Sequence, residues 1–140
     1  MKVLLDTNIL IDIVEKREPH FAASYQIFIK SAERKIEAII GAGSVSDIYY
    51  LTKKNCKSAE QALGFIIDML KVVTVVDTKA VDLQEAIKLS FSDFEDAIVA
   101  ATAERENADY IITRNAGDFK KSNIPAISPA DFLEKHNEFR

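Results

Sequence analysis

The sequence predicts an α/β fold: a single-domain, three-layer α/β/α sandwich around a central parallel sheet of about five strands, spanning residues 1–140. Two observations carry that prediction. Short apolar runs such as Val3-Leu4-Leu5 and Tyr110-Ile111-Ile112 lack polar alternation, as strands covered on both faces do. The segments between such runs have helical spacing, and a helix between two strands makes a crossover that leaves them parallel. A third observation concerns function. Four acids, Asp6, Asp47, Asp96 and Asp118, follow apolar runs at positions where strands stop or helices start. In an open parallel sheet that edge is where ligands bind.

The elements follow in order. Val3-Leu4-Leu5 is the first strand, and Thr7 or Asn8 can cap a helix from Ile9 to about Lys16. Pro19 suits the first turn of a second helix, on which Phe21, Tyr25, Phe28, Ile29 and Ala32 keep a helical period. Glu37-Ala38-Ile39-Ile40 reads as strand two. Gly41-Ala42-Gly43 ends it, and Ser44 can cap a helix through Lys54. Ser58 caps the next helix, to about Leu70, and the β-branched run Val72 to Val76 is strand three. A helix from Lys79 to Leu89 follows. Ser92-Asp93-Phe94-Glu95 has the form of a capping box opening a helix to about Asn107. Tyr110 to Thr113 is strand four, Ala126-Ile127 a short strand five, and Pro129 starts a last helix near Ala130 to Lys135. Residues 136–140 are expected to fray. No linker, repeat or low-complexity tract divides the chain.

Composition narrows the classes. With 140 residues, 48% hydrophobic and 29% charged, the chain is of ordinary globular make-up. Its single cysteine, Cys56, rules out an intramolecular disulfide and a multi-thiolate zinc site. No apolar run approaches the roughly 18 residues of a membrane helix. Asp6 interrupts the N-terminal apolar run before it reads as a signal peptide, and a cytoplasmic location is expected. The formal charge of −4 argues against a broad phosphate-binding surface, unless clustered acids bind divalent cations that supply positive charge.

Each acid also has a bland reading. Asp6 suits a helix start by the macrodipole alone. Asp47 stands in the last position of Ser44-x-x-Asp47, a capping-box spacing. Asp93 suits the first helical position, and Glu95 is explained by the cap on Ser92. Asp96 has no such explanation. It shares a helix face with Asp93, Ala97 and Ala100, and small residues there let the helix approach a neighbour, turning Asp96 inward, where an acid needs a partner. Asp118 lies in Thr113-Arg114-Asn115-Ala116-Gly117-Asp118-Phe119, a turn-rich stretch with Phe119 as an anchor. Together these acids meet at one sheet edge, where they cannot all stay ionised and unpaired. Hard oxygen ligands suit Mg²⁺ or Mn²⁺, and such a set supports metal-assisted phosphodiester hydrolysis.

The order of Leu4-Leu5-Asp6-Thr7-Asn8, Ser46-Asp47-Ile48, Asp96-Ala97-Ile98-Val99-Ala100-Ala101-Thr102-Ala103 and Thr113-Arg114-Asn115-Ala116-Gly117-Asp118-Phe119 resembles that of the PIN-domain family over nearly the whole chain. The resemblance implies a metal-dependent ribonuclease. Many small members are VapC-like toxins, commonly homodimeric and held inactive by a small antitoxin. By motif, Asp6, Asp96 and the Asn115/Asp118 turn would hold the metals, with Thr7, Asn8 and Thr113 supporting. The family's second acid is usually Glu, whereas this chain has Asp47, about 1.5 Å shorter in reach.

Marks of RNA binding are sparse. Arg114 adjoins the acids in sequence, Lys53, Lys54 and Lys57 cluster after the Asp47 helix, and Lys120-Lys121 follow Asp118. Tyr49 and Tyr50 offer rings for base stacking, although helical spacing assigns one of them to the core. Two other readings stay open at this point. One is a catalytically weak PIN-like module that binds RNA or protein, for which Asp47 in place of Glu speaks. The other is a phospho-accepting receiver-type domain, which the lone acid of the first strand disfavours.

Overall fold

The structure is a computed structural model that describes residues 1–137. Five strands, β1 (Lys2–Leu5), β2 (Glu37–Gly41), β3 (Thr74–Val76), β4 (Tyr110–Ile112) and β5 (Ala126–Ile127), form one parallel sheet in the order β3-β2-β1-β4-β5. β1 is central, with Leu4 opposite Ile39 on one side and Ile111 on the other. The chain winds outward from β1 to β3, then returns across β1 to lay down β4 and β5. β1 and β4 therefore flank the topological switch point, where crossovers leave in opposite directions and open a crevice.

The helices are α1 (Thr7–Val14), α2 (Phe21–Ala32), α3 (Ala42–Cys56), α4 (Ala59–Leu70), α5 (Ala80–Leu89), α6 (Phe94–Arg105) and α7 (Pro129–Lys135). Alternate strand residues serve opposite cores, which is why the strands are apolar throughout. Val3, Leu5, Ala38, Ile40 and Ile112 pack one face against Ile9, Ile27, Ile48, Met69 and Phe132. Leu4, Ile39 and Ile111 pack the other against Ala100, Ala103 and Phe119. The alanines let α6 lie close to the sheet, as their spacing implies.

Several helix starts differ from the sequence reading, each for a local reason. α1 starts at Thr7, and Asp6 is its cap, its Oδ1 accepting from Thr7 N at 2.8 Å. α3 starts at Ala42, so Ser44 lies inside the helix and no Ser44–Asp47 box forms. Its cap comes from a distant loop instead: Thr78 Oγ1 accepts from Gly43 N at 3.2 Å. Side chains at 41 and 43 would crowd that hydroxyl, since an added Cβ would lie 3.3 and 3.4 Å from it. α6 is capped by Asp93, whose Oδ1 accepts from Asp96 N at 3.1 Å, so the Ser92–Glu95 box is not made and Asp93 precedes the helix. Pro19 sits in the turn before α2 rather than inside it. β3 starts only at Thr74 because Val72 and Val73 still donate to Met69 O.

The cap at Ser58 forms as expected, on Gln61 N, and α7 is capped by Ser128, whose Oγ accepts from Asp131 N. Within the turn-rich stretch after β4, residues 116–119 make a 3₁₀ turn, with Phe119 buried as its anchor. Of the C-terminal stretch expected to fray, residues 138–140 lie outside the described residues. His136 is anchored, its ring 4.7 Å from that of Phe132.

One ion pair ties α5 to α6. Asp82, 1% exposed, accepts from Arg105 Nε at 2.8 Å and Nη2 at 3.0 Å, from Lys79 N at 2.9 Å and from Thr102 Oγ1 at 3.3 Å. Arg105 Nη2 also donates to Asp77 O at 2.6 Å, fixing the chain beside Thr78. Burial pushes the Asp82 carboxyl up, but the Arg105 guanidinium and the other donors more than offset it and hold it below its ordinary value of 3.8. Its contribution is thus present above that value and is lost as pH falls through the lowered one. Arg105→Met is expected to cost about 3 kcal/mol in urea unfolding at neutral pH, because it strands a buried charge. That cost should shrink below about pH 4, where Asp82 begins to protonate.

Candidate active site

Asp6 ends β1 at the switch point and is 7% exposed. Its backbone N donates to Ile112 O at 2.9 Å, which carries the β1–β4 ladder one step further. Its carboxylate is held at both oxygens. Oδ1 takes Thr7 N, and Oδ2 takes Thr113 Oγ1 at 2.8 Å and Asn8 Nδ2 at 3.2 Å. Thr113 is fully buried beneath it and in turn accepts from Asn115 N at 3.1 Å. The Asp-Thr-Asn run and the Thr-x-Asn run therefore lock together around one carboxylate. Burial pushes the Asp6 carboxyl up, and the bonds from Thr113 and Thr7 only partly restrain it.

Above Asp6 opens a cleft of about 790 Å³. Asp6, Asp47, Asp93, Glu95, Asp96 and Asp118 all line it, from α1, α3, the start of α6 and the 3₁₀ turn. Thr7, Asn8, Asn115 and Arg114 line it as well. Asp96 is the most perturbed of these acids. Burial, then the charges of Asp6, Asp93, Asp118 and Glu95, push its carboxyl up to about 6. Asp47 differs. Like Asp93, Glu95 and Asp118 it is exposed, in the second turn of α3, but unlike them it is not among the leading charges acting on Asp96.

Lys53 and Lys54 lie outside the cleft, exposed in the last turn of α3. Tyr49 is packed against the core, while Tyr50 is exposed at the cleft. The sequence reading passed over Glu95, which lines the cleft now that the cap belongs to Asp93, and Thr78, which lines it while capping α3. It also passed over Asp12, fully buried beside Arg114 with Nε 3.0 Å from Oδ2. The sign of Asp12 was available: it is a lone acid between Leu10-Ile11 and Ile13.

The donors are carboxylates and neutral oxygens, the hard set that suits Mg²⁺ or Mn²⁺, and a cation there would offset the burial and the mutual repulsion that together raise Asp96. Among the described residues no three acids, histidines or cysteines stand as a preformed cage. The carboxylates share a cleft and are not drawn together within it. No described helix is long and apolar enough to cross a membrane.

Two outcomes follow from this geometry. A carboxyl raised above its ordinary value contributes stability at low pH that is lost as pH rises through the raised value. Without divalent cations, the thermal midpoint should therefore fall from about pH 5 to pH 7. Asp96→Asn should flatten that fall, and Mg²⁺ or Mn²⁺ should reverse it at neutral pH. Thr113→Val removes the buried donor to Asp6 and should cost about 1–3 kcal/mol in chemical denaturation, with the Asp6 carboxyl rising further in an NMR titration.

The family model described as PIN domain matches residues 2–117. The chain is 23% identical over 141 residues to Ribonuclease VapC1 of Aquifex aeolicus (strain VF5), covering 97% of this chain and 96% of that protein. Its fold is similar to a chain of VapBC2 from Rickettsia felis bound to a DNA fragment from their promoter, with TM-score 0.69 and 19% identity over 91% of this chain and 98% of that one. It is also similar to a chain of a toxin-antitoxin complex from Klebsiella pneumoniae, with TM-score 0.66 and 23% identity over 91% and 97% of the two. The match to the PIN domain takes in the three motif acids Asp6, Asp47 and Asp96, together with Asn115, and the chain belongs to the PIN-domain family.

Proposed function

We propose that this chain is a metal-dependent endoribonuclease acting in the cytoplasm as one domain, and the toxin half of a type II toxin–antitoxin pair. One observation carries the reading. Acids from four separate segments line one cleft at the switch point of the sheet, where burial, followed by the charges of Asp6, Asp93, Asp118 and Glu95, raises Asp96 to about 6. The likeness to a ribonuclease along nearly the full length of both chains supports RNA as the substrate class.

In this reading Asp6, Asp96 and Asp118 hold the cation, with Asn115 beside Asp118 and Asp47 contributing from the cleft wall. Bound Mg²⁺ or Mn²⁺ supplies charge neutralisation and acidifies water for attack on phosphorus. The protein's own residues do the rest. Thr7 N, Asn8 and Thr113 fix both oxygens of Asp6, so that its ligand geometry is set before anything binds. Asp93 anchors the first turn of α6 and so sets where Asp96 stands. Arg114 offers a cation beside the acids, and the exposed ring of Tyr50 can stack on a base. Lys53 and Lys54 are left for RNA running along the outside of α3.

Exposed apolar side chains suit protein partners. Leu63, Ile67 and Leu70 form a stripe on α4, and Val81 and Ile87 stand out from α5. We assign such surfaces to a small antitoxin and to a homodimer partner. The toxin–antitoxin assemblies among the similar folds support the antitoxin. That Asp47 is not among the leading charges on Asp96 favours a second reading, a weakly catalytic module that binds RNA.

Cleavage of labelled RNA in a Mg²⁺ and Mn²⁺ titration separates the two readings. The nuclease reading expects cleavage that is abolished in folded Asp6→Asn and Asp96→Asn proteins. It expects a smaller loss, about 10–100-fold, in Asp47→Asn. Metal-dependent cleavage retained in both Asp6→Asn and Asp96→Asn would overturn the site. Binding without turnover in every metal would favour the module.

A further inference from the structure

Among the described residues two cationic side chains, Arg17 and Arg114, line the acidic cleft. Arg17 pairs with Glu15 near the surface. Arg114 is held quite differently. Its backbone N faces Asn8 Oδ1 at 3.5 Å, and its Nε lies 3.0 Å from Oδ2 of Asp12, one helical turn further along α1. α1 thus grips Arg114 at both its backbone and its side chain.

Asp12 is an expensive residue to place there. It is 0% exposed, next to the core residues Ile11 and Ile13, and among the described residues neither of its oxygens accepts an aligned hydrogen bond. Burial pushes its carboxyl up, and Arg114, followed by His20 and Arg17, pulls it back. An apolar residue would serve the packing of α1 without that cost. What an apolar residue could not do is hold a guanidinium.

The pairing uses only part of that guanidinium. Nε is enclosed, while neither Nη donates a hydrogen bond to the protein among the described residues. A planar fork with its terminal nitrogens free is suited to two oxygens of a phosphate. In a cleft lined by six carboxylates, a polyanion needs a fixed cation of this kind.

We propose that Asp12 is a positioning residue that holds Arg114 at the acidic cleft, leaving the terminal guanidinium nitrogens to bind a backbone phosphate of RNA. RNA as the polyanion rests on the ribonuclease reading above. A mere staple between α1 and the loop after β4 would use the same ion pair, but would leave RNA binding untouched.

The test is binding of a fluorescein-labelled single-stranded RNA to the full chain, read by anisotropy across a salt series in EDTA and in Ca²⁺. Arg114→Gln should weaken binding about 5–10-fold and flatten the slope of log Kd against log salt by about 0.7, one phosphate contact on a single strand. Asp12→Asn removes a negative charge, so charge alone would tighten binding; positioning predicts weaker binding and a flatter slope. The double variant should bind no worse than Arg114→Gln, and Arg114→Lys, which keeps the charge without the fork, should not restore affinity.

Binding by Asp12→Asn as tight as wild type, or losses that multiply in the double variant, would overturn the proposal. So would a wild-type salt slope in Arg114→Gln, which stands as the test even if Asp12→Asn does not fold. Absence of RNA binding by the wild-type protein also overturns it. RNA binding without cleavage in Mg²⁺ or Mn²⁺ sinks only the ribonuclease reading and leaves this test in force.

Discussion

The buried carboxylate of Asp6 is the constraint around which the rest is arranged. A charge that is 7% exposed at the centre of a parallel sheet must be met by donors, and the chain meets it from two directions. Thr7 N and Asn8 come from the start of α1, and Thr113 comes from the end of β4. Those bonds pin the helix start, hold the two loops of the switch point together, and aim the carboxylate at the cleft. They do not fully compensate its burial, since the Asp6 carboxyl stays above its ordinary range. The shortfall, shared with Asp96, is one that a bound cation would offset.

A second chain of contacts supports the opposite wall. The Arg105–Asp82 pair holds α5 against α6, and Nη2 of the same guanidinium also donates to Asp77 O. The next residue, Thr78, caps α3 through Gly43 N, and α3 carries Asp47. The α5–α6 core is thereby linked to the helix that brings Asp47 to the cleft. The two arginines differ: Arg105 does not line the cleft and each of its three guanidinium nitrogens donates a hydrogen bond, whereas Arg114 lines it with terminal nitrogens to spare.

Much of this was legible in the sequence, because the signals involved are local. Unbroken apolar runs fixed the strands, and their acids had to emerge on one edge of a parallel sheet. Asp96 stood out because no cap explained it. What was missed depended on distant partners. Ser44 is a good cap by composition, yet Thr78, from another element, takes that role. Ser92 and Asp93 are adjacent and both able to cap, and only the packed geometry of α6 selects Asp93. Asp12 broke an apolar helix in plain sight, but its meaning required Arg114, which the fold brings in from beyond β4. Lys53 and Lys54 looked close to the site in sequence, while the length of α3 carries them away from it.

The central claim is that the cleft above Asp6 binds a divalent cation between segments that meet only in the folded sheet. Anomalous diffraction from a crystal soaked in Mn²⁺ tests it most directly. The account predicts a manganese peak in the cleft beside Asp6 and Asp96. A peak elsewhere on the protein, with the cleft free of manganese, would contradict it.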